Sequence, residues 1–360
     1  MRNKTVQLFI PIIILMSFSI LCMINSRLIL AQYENYYFKQ ILWFIIGFLA
    51  VIVISKIKRI HFFKYSYIIY GINILFLVLV LFFGKEVNGA KAWFDMAYFS
   101  FQPSEFMKLS LLLILCHLSN SLRLRTIKNE LKFIGKAILL TIIPAILTFV
   151  QPDTGAVIIY FIITTAVLFA SCIRYRWFII GATLLFTSLA ALFFLYHNYQ
   201  DFFLEIFGSS LFYRIDRIML FNEGSGMQIE NAKIAIGNAG IFGNGINSPP
   251  IYFPEAPTDF IFALLISNFG YLGALIIIIS YIFIFIWFIK VIKRTPKKEH
   301  KIFITAFLAM FLFQVMGSIL MNIGLLPVIG ITLPFLSYGG SSLLLYFICI
   351  GMTLKIIKKY

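Results

Sequence analysis

Long apolar segments alternate with short polar ones along the whole chain of 360 residues. Each apolar segment is close to the roughly 20 residues that an α-helix needs to cross a bilayer. Only helices and closed barrels satisfy all their backbone hydrogen bonds inside lipid, so this pattern predicts an all-α, polytopic membrane protein. About ten spans are predicted, at 6–25, 38–55, 65–83, 103–120, 136–151, 155–172, 177–196, 260–289, 302–325 and 333–357.

The composition supports a membrane protein over a soluble one. Hydrophobic residues make up 61% of the chain and charged residues only 12%, whereas soluble domains carry about 25% charged residues. The first apolar segment follows Arg2 and Lys4, as in a signal peptide, but it is too long and no small-residue cleavage site follows it. We therefore expect a retained first helix and a single integral membrane domain over residues 1–360.

The basic residues predict the orientation. The segments at the two termini and at 56–64, 120–136, 173–176 and 290–301 hold 22 of the 30 Lys and Arg residues but only two of the 14 acids. Basic segments stay in the cytoplasm, so both termini are expected there. The large loop at about 197–259, between helices 7 and 8, is then extracytoplasmic.

The net charge of +16 is explained by this topology and by contacts with anionic membrane lipid. Nucleic-acid binding would need a basic soluble face, which the sequence does not provide. The four histidines and four cysteines show no ligand spacing, so no metal site is predicted from them.

Asp259 is the first candidate for chemistry. It ends the external loop directly before the eighth span, and Glu255 lies four residues earlier. The free energy of inserting an Asp at mid-bilayer is about 2.5 to 3.5 kcal/mol, and it is smaller near the interface. An acid at the end of a membrane helix therefore needs an interaction partner or a function.

The fourth span begins with Pro103, Glu105 and Lys108. Pro103 suits the first helical position, and Glu105 suits the positive end of the helix dipole. Lys108 lies one turn deeper, where it can pair with Glu105. The pair is either purely structural or a charged cavity wall in which Lys108 is a counter-charge for a pyrophosphate.

The external loop offers further polar candidates. Arg214 and Arg217 lie three residues apart and can share a helix face that binds phosphate oxygens. The alternative is that they pair with Asp216, with Glu205 or with lipid headgroups. Gln228 is a further candidate substrate ligand in this loop.

Two turn segments can each be interpreted as purely structural or as part of a binding site. Asp153 follows Gln151 and Pro152 in a tight turn, where Asp is common for structural reasons, although it can also bind substrate. The glycine-rich segment 237–245 either exposes backbone N–H groups to an anion or is a plain re-entrant loop with flexible turns.

Six motifs in order resemble the shape, elongation, division and sporulation (SEDS) glycosyltransferases, which include RodA, FtsW and SpoVE. The resemblance covers nearly the whole chain, and residues 326–330 resemble RodA more than FtsW. The motifs lie at residues 88–93, 101–108, 151–153, 237–245, 254–260 and 333–342.

The resemblance implies that the protein polymerises lipid II into glycan strands outside the bacterial cytoplasmic membrane, for elongation and shape or for division. It also implies a class B penicillin-binding transpeptidase as partner, with other membrane proteins of the elongation or division complex. The essential loop aspartate of the family falls on Asp259, and its acid and lysine of helix four fall on Glu105 and Lys108.

Five positions, in three short segments, depart from the family pattern. Pro257 precedes Thr258 and Asp259 where members usually have His, Ser267 and Asn268 stand where members often have two acids, and Asn231 and Ala232 stand where members often have Gln and Ser. Asp259 is retained, but the shape of the acceptor pocket is expected to differ.

The expected chemistry is attack of an acceptor sugar hydroxyl on an anomeric carbon, with a lipid pyrophosphate as leaving group. Asp259 would take the proton as general base, and Lys108, Arg214 and Arg217 would stabilise the leaving group. A divalent cation, Mg²⁺ or Mn²⁺, is an alternative to these side chains; no other cofactor is expected. The rival functions are a flippase or transporter of a lipid-linked sugar and a non-catalytic scaffold for the transpeptidase.

Overall fold

The computed structural model describes residues 2–57, 62–87, 90–96, 99–121, 126–205, 208, 212, 227–246, 248 and 251–358. Helices dominate this part of the chain, and each predicted span coincides with one of them. The main helices are α1 Arg2–Ser26, α2 Tyr36–Lys56, α3 Ser66–Phe83, α4 Pro103–Ser121, α5 Ile127–Val150, α6 Thr154–Ala170, α7 Arg176–Asn198, α8 Met227–Gly237, α9 Ile261–Arg294, α10 Lys298–Asn322 and α11 Gly340–Lys358.

Eight helices in the described part of the chain are long and apolar enough to cross a membrane. The protein is thus a multi-pass membrane protein. Two of the ten predicted spans fall outside this group: α6 is apolar but only 17 residues long, and α4 carries the Glu105–Lys108 pair. The count of ten remains a prediction.

Helix α4 lies at the centre of the fold. It packs against α3, α6, α10 and α11, and residues 111–116 are all buried. Helix α7 is the opposite case, because Tyr196 is its only buried residue. A helix that is apolar and exposed all round is suited to lipid contact.

A small antiparallel sheet precedes α4. It consists of β1 Lys85–Val87, β2 Ala90–Met96 and β3 Phe99–Phe101, in the order β1-β2-β3. The sequence pattern did not predict this sheet, since its strands are too short to show a clear alternation. The backbone N–H of Gln102, between β3 and α4, donates to Ser341 Oγ of α11 at 3.1 Å, which fixes the start of α4.

Helix α9 is broken at Gly270, whose φ of 66° and ψ of −168° are not helical. The break frees backbone groups of α9, and the segment 240–245 hydrogen-bonds with them. The N–H groups of Asn244 and Gly245 donate to the carbonyls of Ser267 and Asn268 at 2.8 and 3.0 Å. The glycine-rich segment therefore pairs with the backbone at the break in α9, and these two N–H groups are not available to an anion.

The buried residues Ser267 and Asn268 belong to the same break. Asn268 Oδ1 accepts a hydrogen bond from Asn25 Nδ2 of α1 at 2.5 Å. Where members of the resembled family often carry acids, this chain therefore has a neutral amide pair that joins α1 to α9. Because an amide pair needs no counter-charge, it avoids the cost of a buried carboxylate.

Candidate functional site

Asp259 lies in the turn 254–260, directly before α9, and it is half-buried. Its carboxylate faces the loop between α10 and α11, and a Cβ built on Gly330 would stand 4.0 Å from Asp259 Oδ2. Gly330 has a φ of 67°, a conformation that favours glycine. At Gly330, the backbone of the loop rather than a side chain therefore lies next to the carboxylate.

The same loop region holds the backbone on which Asp259 stands. Each of the three carbonyls of residues 257–259 accepts a hydrogen bond from a donor at residues 322–338. The donors are Tyr338 N to Pro257 O at 2.8 Å, Ser337 Oγ to Thr258 O at 2.6 Å, and Asn322 Nδ2 to Asp259 O at 2.8 Å. These three hydrogen bonds fix the backbone of the turn before α9.

Burial raises the pKa of the Asp259 carboxyl to about 7, and the negative charges of Glu255 and Asp153 raise it further in the same direction. Desolvation and like charge both disfavour the ionised form. A carboxyl with a pKa near neutrality can accept and release a proton at working pH, which is what a general base requires.

Glu255 shapes the turn in front of Asp259. Its φ of 56° is unusual for a residue with a side chain, and its carbonyl accepts hydrogen bonds from the N–H groups of Thr258 and Phe260 at 3.2 and 3.1 Å. Its Oε2 accepts a hydrogen bond from Thr258 Oγ1 at 2.6 Å. Glu255 therefore has a structural function as well as an electrostatic one.

Asp153 is held at the start of α6. Its Oδ1 accepts from Ala156 N at 3.0 Å as a helix cap, while Oδ2 accepts from Ser104 Oγ at 2.8 Å and from Gln102 Nε2 at 3.0 Å. These donors support the structural reading of the turn. The carboxylate joins the start of α4 to the start of α6.

Gly155 connects Asp153 to the loop that faces Asp259. A Cβ on Gly155 would stand 2.5 Å from the Ile329 carbonyl and 3.1 Å from the Gly330 carbonyl. The loop at 329–330 therefore lies between the start of α6 and Asp259. This placement explains why the charge of Asp153 reaches Asp259.

Glu105 and Lys108 form the ion pair that the sequence predicts, with 2.6 Å between Lys108 Nζ and Glu105 Oε1. Both side chains are buried. The second carboxylate oxygen, Glu105 Oε2, has no hydrogen-bond partner in the described part of the chain. A buried acceptor of this kind is costly and is available to a donor on a ligand or to a water molecule.

The remaining predicted residues belong to the loop that precedes Asp259 in the sequence. Gln228 lies in the first turn of α8 and is half-buried. Arg214 and Arg217 lie outside the described residues. Among the residues described, no three His, Cys, Asp or Glu side chains come together as a metal site. A Mg²⁺ or Mn²⁺ ion held by the described residues would need further oxygen ligands from the substrate, as is common for Mg²⁺.

Sequence reasoning missed Asn322, and it included Ser104 and Ser337 only as members of the motifs at 101–108 and 333–342, without a role of their own. Asn322 contacts Asp259 across 63 positions of the chain and Ser337 contacts Thr258 across 79. No periodicity or local motif connects residues so far apart. Their signal was weak: each is a small polar residue in or beside an apolar span.

A family model for FtsW, RodA and SpoVE, described as cell cycle proteins, matches residues 3–360. Several curated relatives are named probable peptidoglycan glycosyltransferase FtsW. The relative from Buchnera aphidicola subsp. Baizongia pistaciae is 34% identical, over 88% of this chain and 83% of its own. The relative from Wigglesworthia glossinidia brevipalpis is 33% identical, over 89% and 84%.

Solved structures show the same fold. A chain from a peptidoglycan synthase complex that coordinates polymerization and crosslinking superposes with a TM-score of 0.79 at 24% identity, over 98% of this chain and 97% of its own. RodA of Thermus thermophilus superposes with a TM-score of 0.69 at 24% identity, over 97% and 96%. The curated relatives are named FtsW, whereas this solved structure is named RodA. A closer similarity of this chain to RodA than to FtsW therefore stays a prediction.

Proposed function

This chain belongs to the FtsW, RodA and SpoVE family of cell cycle proteins, and we propose that it is a peptidoglycan glycosyltransferase that polymerises lipid II. The observation that carries the proposal is Asp259. Burial raises the pKa of its carboxyl to about 7, and the donors of residues 322–338 hold the backbone beneath it. A proton acceptor held in this way is what transfer to a hydroxyl needs.

At the anomeric carbon, the reaction forms one bond and breaks one. The 4-hydroxyl of the acceptor sugar attacks the anomeric carbon of the growing strand, and the bond from that carbon to the pyrophosphate oxygen breaks. Asp259 takes the hydroxyl proton, and undecaprenyl pyrophosphate leaves with the bonding electrons. General base catalysis of this kind contributes about 10²- to 10⁴-fold to the rate.

The leaving group needs positive charge more than it needs a proton. Lys108 is our candidate inside the membrane domain, with Glu105 holding its ammonium group at 2.6 Å. In the external loop, Arg214, Arg217 and Gln228 are proposed to bind the head group. A divalent cation between substrate oxygens and the carboxylates of the site is the alternative clamp. Glu255 and Asp153 contribute negative charge close to Asp259.

We propose that residues 1–360 form one integral domain in the bacterial cytoplasmic membrane, with both termini in the cytoplasm and Asp259 at the outer face. The bias of Lys and Arg toward alternate segments supports this orientation. A class B penicillin-binding transpeptidase is the proposed partner. The fold shared with a chain of a peptidoglycan synthase complex supports such an assembly.

Purified protein with labelled lipid II tests the proposal, with and without the transpeptidase. A glycosyltransferase gives polymer, and the polymer disappears when Asp259 is replaced. A flippase gives no polymer but moves labelled lipid II across vesicles. A scaffold gives no polymer in the absence of an independent polymerase, and any polymer it assists is insensitive to Asp259.

A further inference from the structure

We infer that Asn322 is a positioning residue, which fixes Asp259 by capping α9 from a different helix. The inference rests on the proposed function, because it assigns Asn322 to the same reaction. Asn322 is the last residue of α10 and is fully buried. It does not touch the reacting atoms, so it would act only through the backbone of Asp259.

In the part of the chain that the structure describes, the hydrogen bonds of the Asn322 amide join it to backbone groups. Nδ2 donates to the carbonyls of Asp259 and Ser318, each at 2.8 Å. Oδ1 accepts from the N–H of Ala263 at 3.0 Å. One side chain thus binds the carbonyl of residue 259 and the N–H of residue 263, on either side of the start of α9.

Helix α9 needs this help because its own cap position cannot provide it. The cap residue is Phe260, which makes no side-chain hydrogen bond to the helix. Ala263 is the third helical residue, and its N–H is the group that a Ser, Thr or Asp cap ordinarily binds. Asn322 supplies the missing acceptor and, with the same amide, donates to the residue that carries the proposed base.

This double contact is why we assign Asn322 more than a stabilising role. A cap placed on Phe260 would satisfy the helix but remove the hydrogen bond to the Asp259 carbonyl. The peptide group between Asp259 and Phe260 would then keep the hydrogen bond of the Phe260 N–H to the Glu255 carbonyl at 3.1 Å, but it would be less restrained against rotation. Rotation of that peptide group moves the carboxylate, and a displacement of about 1 Å at a reacting group can cost about 100-fold in rate. The hydrogen bond from Nδ2 opposes such a rotation.

The test uses Asn322→Leu, which removes both contacts at similar size, and Asn322→Ser, which is shorter and serves if the leucine variant does not fold. Ser318→Ala is the matched control, since Ser318 is buried one turn earlier on α10 and its hydroxyl has no partner in the described part of the chain. We expect kcat for lipid II polymerisation to fall about 10- to 100-fold, with little change in KM.

The pH–rate profile separates positioning from simple stabilisation. Loosening the turn admits water to the carboxyl, so the acid limb of the profile should move to lower pH in both Asn322 variants and stay in place in Ser318→Ala. Folded Asn322→Leu or Asn322→Ser protein with the kcat and the acid limb of the wild type would overturn the inference.

A second measurement keeps the inference distinct from the proposed function. If the wild-type protein makes no polymer, the proposed function fails. The positioning role is then judged from the infrared titration of the Asp259 carboxyl, which is identified by its absence in Asp259→Asn. A titration midpoint that moves in the Asn322 variants but not in Ser318→Ala supports the role, and an unmoved midpoint refutes it.

Discussion

Gly243 and Gly270 lie against each other where the loop that precedes Asp259 meets the broken helix α9. A Cβ on Gly243 would stand 2.5 Å from the Gly270 nitrogen, and a Cβ on Gly270 would stand 2.5 Å from the Gly243 nitrogen. Both residues also have positive φ, at 77° and 66°. The contact allows the backbones to exchange hydrogen bonds and closes the break near the site.

Alanine at either position should therefore destabilise the protein. In Gly243→Ala and in Gly270→Ala the new methyl group would meet backbone atoms that cannot move aside, and a strained residue alone costs about 1–3 kcal/mol. We expect a lower thermal unfolding midpoint in detergent for both variants, together with lower polymerisation. Gly71→Ala is the control, since a Cβ on Gly71 meets nothing within 4 Å. Equal midpoints for all three variants would contradict the close contact.

Lys108 gives a test of charge against packing. In Lys108→Met and in Lys108→Ala, Glu105 loses its partner at 2.6 Å and must stay charged without compensation or take up a proton. If the charge binds pyrophosphate, the two variants should lose polymerisation to a similar extent, although methionine fills the space better. Lys85→Met is the control, because Lys85 pairs with Asp95 at the surface. Wild-type activity in Lys108→Met would remove this residue from the site.

The orientation can be checked with reporter fusions. The charge bias predicts that fusions at Lys298 and at the C-terminus report cytoplasm, whereas a fusion at Glu223, which lies outside the described residues, reports the external side. The site must face outward to reach lipid II after its transfer across the membrane. A cytoplasmic signal at Glu223 would reverse the orientation and place Asp259 on the wrong face.

Much of the fold could be predicted because lipid imposes a simple rule on sequence. A helix inside a bilayer must be apolar over about 20 residues, so the positions of the helices were visible in the pattern. The Glu105–Lys108 pair was also predictable, because residues three apart on a helix are neighbours. Asp259 stood out because an acid at the mouth of an apolar helix is unusual.

The sequence did not reveal what holds Asp259. Its hydrogen bond from Asn322 and the closure of the α9 break depend on how distant segments meet, and no local pattern encodes that. Asp153 shows a different limit. A turn Asp is a common residue with a common structural purpose, and only the donors on both of its oxygens establish that this one joins α4 to α6.

Asp259→Asn removes the base while it keeps the size and most of the hydrogen bonds of the side chain. Polymerisation of lipid II should be abolished, because an amide cannot accept the hydroxyl proton at neutral pH. The variant should still fold, insert and bind the transpeptidase, which co-purification would show. Asp201→Asn, at an exposed position, should keep full activity. Polymerisation by Asp259→Asn at the wild-type rate would make the assignment wrong, and Glu255 would be the next candidate.

The pH dependence of the rate follows from the same carboxyl. Its pKa is raised to about 7, and the ionised form is the base. The rate should therefore rise with pH and be about half-maximal near pH 7. At pH 6 it should be about 10-fold below the maximal rate. Glu255→Gln removes a like charge that raises this pKa, so the acid limb should move to lower pH, although only in part because burial is the larger cause.

Glu230→Gln, at an exposed position of α8, should leave the profile where it is in the wild type. The initial rate of polymerisation is measured between pH 5 and 9, at saturating lipid II, for the wild type, Glu255→Gln and Glu230→Gln. An acid limb near pH 4 in the wild type would show that Asp259 is ionised throughout this range. An unmoved limb in Glu255→Gln would show that the charge of Glu255 does not reach Asp259, and the acid limb would then be governed by burial and by the charge of Asp153.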